Sequence, residues 1–71
     1  MNRIHPKKLL HSKWTAQHPE RREKHFIVRE VDFDEDGNVT HCLIEAVLTG
    51  RQFEIDWRSL QDAERWRQGW S

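Results

Sequence analysis

Lys24-His25-Phe26-Ile27-Val28-Arg29-Glu30-Val31-Asp32-Phe33, followed by Asp34-Glu35-Asp36-Gly37-Asn38 and the run from Val39 to Leu48, is the stretch that decides the fold. The first run is rich in aromatic and β-branched side chains, which suit a pleated, half-buried surface. Ile27, Val31 and Phe33 alternate onto one face and Phe26 and Val28 onto the other, while Arg29 interrupts the first face. A strand with a bulge, or with burial on both sides, is expected over Lys24 to Asp34. Asp36-Gly37 between two such runs is a strong hairpin signal, because glycine accepts positive φ. The returning strand, Val39 to Leu48, places Cys42, Ile44, Ala46 and Leu48 on one face and Leu43 and Val47 on the other. Thr49-Gly50 marks the next turn. Gln52 to Trp57 then alternates Phe53, Ile55 and Trp57 with Gln52, Glu54 and Asp56, the pattern of a strand with one wet face. Consecutive strands joined by tight turns predict an antiparallel meander.

Upstream of this stretch, Pro6 followed by Lys7-Lys8-Leu9-Leu10 predicts one short helical turn, since proline suits a first helical position. Lys13-Trp14-Thr15-Ala16 reads as a short strand, and Gln17 to Glu23, with Pro19 and four charges, as a polar loop. Downstream, Ser59 and Asp62 resemble a capping box, and Leu60, Ala63 and Trp66 recur at helical spacing. One or two turns of helix are expected there, with Gly69 stopping them and Trp70 folding back. The expected fold class is mainly β, with α+β as the alternative. It is a small, curled antiparallel sheet of three or four strands, closed by a short C-terminal helical segment bearing Trp66 and Trp70. An SH3-like, partly open barrel is one way to arrange it. Residues 1–71 form a single small domain in this reading, with residues 1–8 as a flexible basic arm.

Seventy-one residues lie near the lower limit at which a chain folds without a metal or disulfides. Five Leu, four Ile, four Val and three Phe make 16 of 71 residues, about 23%, little above the ~20% below which charged chains are disordered. Four tryptophans lift the chain clear of that boundary, since each can bury roughly 150–250 Å². Twelve basic and twelve acidic side chains cancel, which argues against the overall positive excess usual in nucleic-acid-binding proteins. The cancellation hides a segregation. Residues 1–29 hold eight Lys/Arg against Glu20 and Glu23, a balance of +6; residues 30–64 hold ten acids against Arg51 and Arg58, a balance of −8; Arg65 and Arg67 restore +2. Either the basic third is neutralised by the acidic remainder, within one copy or in a symmetric dimer, or it is a face offered to an anionic partner. Cys42 is alone, so no internal disulfide forms and a reducing cytoplasm suits the chain. No apolar run is long enough to span a bilayer, and the first residues lack the apolar core of a secretory signal.

Five stretches carry a resemblance across nearly the whole chain. They are Leu9-Leu10-His11-Ser12-Lys13-Trp14-Thr15-Ala16, Glu23-Lys24-His25-Phe26, Leu43-Ile44-Glu45-Ala46-Val47-Leu48-Thr49, Ile55-Asp56-Trp57-Arg58 and Trp66-Arg67-Gln68-Gly69-Trp70. In these the sequence resembles a family of small tryptophan-rich bacterial proteins of unknown function. The resemblance implies that Trp14, Trp57, Trp66 and Trp70 belong to the family signature, and it brings no activity, ligand or catalytic residue with it.

No residue pattern dictates a reaction. Asp32 to Gly37 matches the first half of a calcium loop, but the position that should hold a closing bidentate Glu is Leu43, so the reading is an acidic hairpin turn. His11, His18 and His25 recur every seven residues, yet Pro19 interrupts any continuous helix and no close ligand pair accompanies them. Cys42 needs a histidine to become a nucleophile; His41 points to the opposite face, His25 on the partner strand is the other candidate, and Cys42 reads as a small apolar residue in its row. Glu45, inside an apolar strand, calls for a cationic partner, either Arg29 or Arg51. Catalysis, cofactor and metal are therefore not expected.

The expected function is a non-catalytic, cytoplasmic interaction module, monomeric or weakly dimeric, that holds a protein partner and does not enter membranes. Its candidate contact residues are Trp14, Trp66, Trp70, Arg67, Lys7, Lys8 and Lys13, with Trp57 as core. Lids and barrel-closing core positions are the structural alternatives for Trp66, Trp70 and Trp14. The alternative function is RNA or single-stranded nucleic-acid binding, with the basic N-terminal third on the phosphates and Trp14 as the stacking platform.

Overall fold

The computed structural model describes residues 1–71. Five antiparallel strands form one open sheet: β1 (Lys13–Glu20), β2 (Glu23–Phe33), β3 (Val39–Ala46), β4 (Gln52–Glu54) and β5 (Trp66–Gln68). Their order across the sheet is β4-β3-β2-β1-β5. The mainly β antiparallel reading holds, with five strands where three or four were expected. The first four strands follow one another as a meander, and the fifth returns to pair with the first, so β4 and β5 are edges that do not meet.

The central hairpin is the one the sequence announces. Phe26 pairs with Ala46, Val28 with Ile44 and Val31 with Cys42. The register slips between Val28 and Glu30, where Arg29 breaks the alternation. At the turn, the Asp34 carboxylate accepts from the backbone N–H of Asp36 and of Asn38, each at 2.9 Å, and Gly37 takes φ of 83°.

Gln17 to Glu23 is a correction to the expected polar loop. Strand β1 continues to Glu20, which pairs with Glu23 across a two-residue turn at Arg21 and Arg22. Both arginines are left-handed, with φ of 54° and 63°, the geometry such a turn needs and one that side chains other than glycine and asparagine rarely signal. Pro19 is tolerated because β5 pairs with β1 only over Trp14 to Ala16, leaving no partner for the missing N–H beyond it.

The C-terminal segment also departs from expectation. Only a 3-10 turn forms, over Trp57–Gln61, because the Asp56 side chain accepts from Arg58 N and ends strand β4 early. The Asp62 side chain then accepts from Glu64 N, and the chain turns into β5 instead of winding on. Trp66 therefore sits on a strand. The other 3-10 turn, Pro6–Lys8, matches the single turn expected after Pro6.

The core lies on one face of the sheet. Trp14, Phe26, Val28, Cys42, Ile44, Ala46 and Trp66 meet Leu9 and Leu60, which arrive from the two 3-10 turns. Trp57, Phe53 and Ile55 pack partly buried against this cluster. Residues 1–8, expected as a flexible arm, carry tethers: Asn2 N donates to Gln61 O at 2.9 Å, and its side chain donates to Leu60 O and Trp66 O. That last bond occupies the outer side of β5 and blunts an edge otherwise open to another strand. No helix is long and apolar enough to cross a membrane.

Candidate functional site

Alternation fixes what faces outward. Trp14 and Phe26 enter the core, so their neighbours Lys13, Thr15 and His25 face away from it, and Thr15 pairs with both His25 and Arg67. Gly69, at φ of 78°, bends the chain out of β5 and lays the last two residues back over this outer face. The Thr15 hydroxyl donates to Gly69 O at 2.6 Å and accepts from Ser71 N at 3.2 Å. His25 Nε2–H donates to Ser71 O at 2.9 Å. The Trp70 indole N–H donates to Phe26 O at 2.9 Å, the Lys13 ammonium sits 4.8 Å from its ring centroid, and the His25 ring lies 5.9 Å away. Trp70 nevertheless keeps 44% of its surface exposed. It is a pinned aromatic platform with the Lys13 cation at its border.

The other tryptophans are placed differently. Trp14 is fully buried, at 0% exposure, with its indole N–H on Ser12 Oγ at 2.8 Å. It offers no face to a nucleotide base or to a partner, which corrects its candidacy as a contact residue. Trp66 is 8% exposed and edge-on to Phe26 at 5.2 Å, so it too is core rather than half of an exposed aromatic pair. Of the remaining candidates, Lys7, Lys8, Lys13 and Arg67 are exposed. Lys13 and Arg67 belong to the strands beneath Trp70; Lys7 and Lys8 lie apart, on the first 3-10 turn.

The family model Tryptophan-rich protein (DUF2389) matches residues 12–71. The chain belongs to this family. The matched span holds all four tryptophans and opens at Ser12, the acceptor for the Trp14 indole. No curated protein and no solved structure matches the chain.

In this tryptophan-rich chain little of the segregated charge is paired internally. The ion pairs are Arg29–Glu45 at 2.9 Å, Arg51–Glu23 at 2.6 Å, and His41 with Glu54 at 2.9 Å and Glu30 at 3.6 Å. Arg29 is thus the one cation of the first 29 residues that meets a carboxylate; Arg3, Lys7, Lys8, Lys13, Arg21, Arg22 and Lys24 meet none. Glu45 takes Arg29, as one of its two expected partners, and hydrogen bonds from Gln52 and Arg29 hold its carboxyl below the usual range. Arg51, the other candidate, is engaged by Glu23. That carboxylate is 2% exposed and receives Arg51 and the Thr49 hydroxyl, which bring its pKa down from 4.5 to about 2. Sequence reasoning missed this cluster and the Thr15, His25 and Phe26 anchors of Trp70, because both depend on the unsignalled Arg21-Arg22 turn and on cross-strand register.

The acidic turn uses Asp34 to cap its own backbone, and no three His, Cys, Asp or Glu side chains converge in a geometry able to hold a metal ion. Cys42 is buried in the core, and burial, then the charges of Asp56 and Glu54, push its thiol from 9.0 up to about 11. Two units leave on the order of a hundredfold less thiolate than an ordinary cysteine has near pH 8. Native protein should therefore resist a maleimide reagent that modifies it rapidly in denaturant, as read by intact mass; equal rates would refute the burial.

Proposed function

We propose that this protein is a non-catalytic interaction module of the cytoplasm, and that its contact with a protein partner is the Trp70 platform with Lys13 and Arg67. The observation that carries this reading is a tryptophan held at 44% exposure by anchors from four other residues. Immobilising a large aromatic in advance removes much of the entropic cost of association, and tryptophan and arginine dominate interface hot spots. A buried, protonated Cys42 and the cytoplasmic setting agree. Trp70→Ala should keep the wild-type circular dichroism spectrum and lower affinity for the partner recovered from a bacterial lysate by roughly 30-fold, the size of a ~2 kcal/mol hot spot. Recovery undiminished by Trp70→Ala and by Lys13→Ala with Arg67→Ala would refute the assignment.

The seven unpaired cations of the first 29 residues favour a second reading, single-stranded nucleic acid. Its stacking residue is then Trp70 and not Trp14. That reading expects log affinity for an oligonucleotide to fall steeply and linearly with log salt, and it ends if none binds at low salt.

A further inference from the structure

The inner face of the sheet is not sealed along its whole length. Beside the Arg21-Arg22 turn a cup of about 360 Å³ remains open, small for a ligand pocket and sized for one ring system. Its floor is apolar, made by Ala16, Phe26, Phe53 and Trp66. Phe26 stands edge-on to Phe53 at 6.0 Å and to Trp66 at 5.2 Å.

The rim carries charges of both signs. Arg51 lies 4.5 Å over the Phe53 ring and commits Nε and Nη2 to Glu23, which leaves Nη1 free. Arg65 and His18, also on the rim, enter no ion pair. Glu23 is occupied by Arg51 and Thr49, so Glu20 is the one rim carboxylate without a cation bound to it.

A second, independent observation singles out the same place. Trp66 is more than nine-tenths buried, and its Nε1 is the one buried side-chain nitrogen or oxygen in the protein with no hydrogen-bond partner. Buried donors are almost always paired, so the orphan marks the core beside this cup as incompletely satisfied.

We propose that this cup binds a small aromatic carboxylate, with the ring against Phe26, Phe53 and Trp66 and the carboxylate taken by Arg65 and His18. An inorganic anion leaves the apolar floor uncovered, and a neutral arene leaves Arg65 and His18 without an anion to bind. The cup lies on the opposite face of the sheet from Trp70, so it stands or falls apart from the interaction reading.

The test is a two-dimensional ¹⁵N–¹H titration of the full chain with sodium benzoate, with benzyl alcohol as the uncharged control. The expected result is a saturable shift of the Trp66 side-chain Nε1–H signal. Trp14 and Trp70, whose indoles are already bonded, should stay in place. Benzyl alcohol and the surface variant Arg65→Gln should each weaken binding about tenfold, the worth of one charge-assisted hydrogen bond. The proposal is overturned if the Trp66 signal does not move or never saturates, if benzyl alcohol saturates it as readily as benzoate, or if Arg65→Gln binds benzoate like wild type.

Discussion

Trp14→Ala is expected to remove most or all of the stability of the fold. Truncating a buried tryptophan costs about 3–5 kcal/mol. At roughly 0.05–0.15 kcal/mol per residue, a chain of this length holds only about 4–11 kcal/mol in total. Trp14 has no exposed surface and lies in a core of nine buried residues, so little remains to fill the void. Where the variant still folds, its melting temperature should fall by roughly 12–40 °C. The two buried tryptophans should also differ from each other. Trp14→Phe breaks the bond to Ser12 Oγ, whereas Trp66→Phe deletes an unpaired donor, so the second change should be the milder in a thermal melt. A Trp14→Ala melt within a few degrees of wild type would show that Trp14 is not core.

Acid should unfold the protein through Glu23. Its carboxyl titrates near 4.5 when unfolded and at about 2 when held by Arg51 and Thr49. Above the unfolded value both states are ionised and the cluster contributes its full stability. As pH falls from about 4.5 towards 2, the unfolded chain takes up a proton that the folded one refuses, and that contribution is progressively lost. Asp34, held low by its turn hydrogen bonds, and Glu45 act in the same direction. The melting temperature should be flat from neutrality to about 4.5 and fall steeply below it. Glu23→Gln should melt lower at neutral pH and show a shallower acid limb, whereas parallel limbs for the two proteins would remove Glu23 from the account.

Where residues speak locally, the fold was legible in the sequence. The Asp34-to-Asn38 turn and the strands on either side of it follow from alternation and turn chemistry within a few positions. Three features did not, each for a physical reason. Arg21-Arg22 adopts a turn that neither side chain favours, so Pro19 and the charges read as a loop. Leu60, Ala63 and Trp66 have helical spacing, but Leu60 and Trp66 reach one core from a 3-10 turn and a strand, with Asp56 and Asp62 capping short turns between them. The exposure of each tryptophan depends on which face of the sheet it meets. Trp70 was separable from Trp66 only once Gly69 was seen to swing the chain to the outer face.

The division of labour among the tryptophans, with Trp14 and Trp66 building the core and Trp70 presented outward, is tested most directly by a soluble gadolinium chelate added to the native protein, with relaxation of the indole ring protons read residue by residue. Trp70 should be strongly broadened while Trp14 and Trp66 stay sharp. Broadening of Trp14 equal to that of Trp70, or a Trp70 ring as protected as the core, would contradict the account.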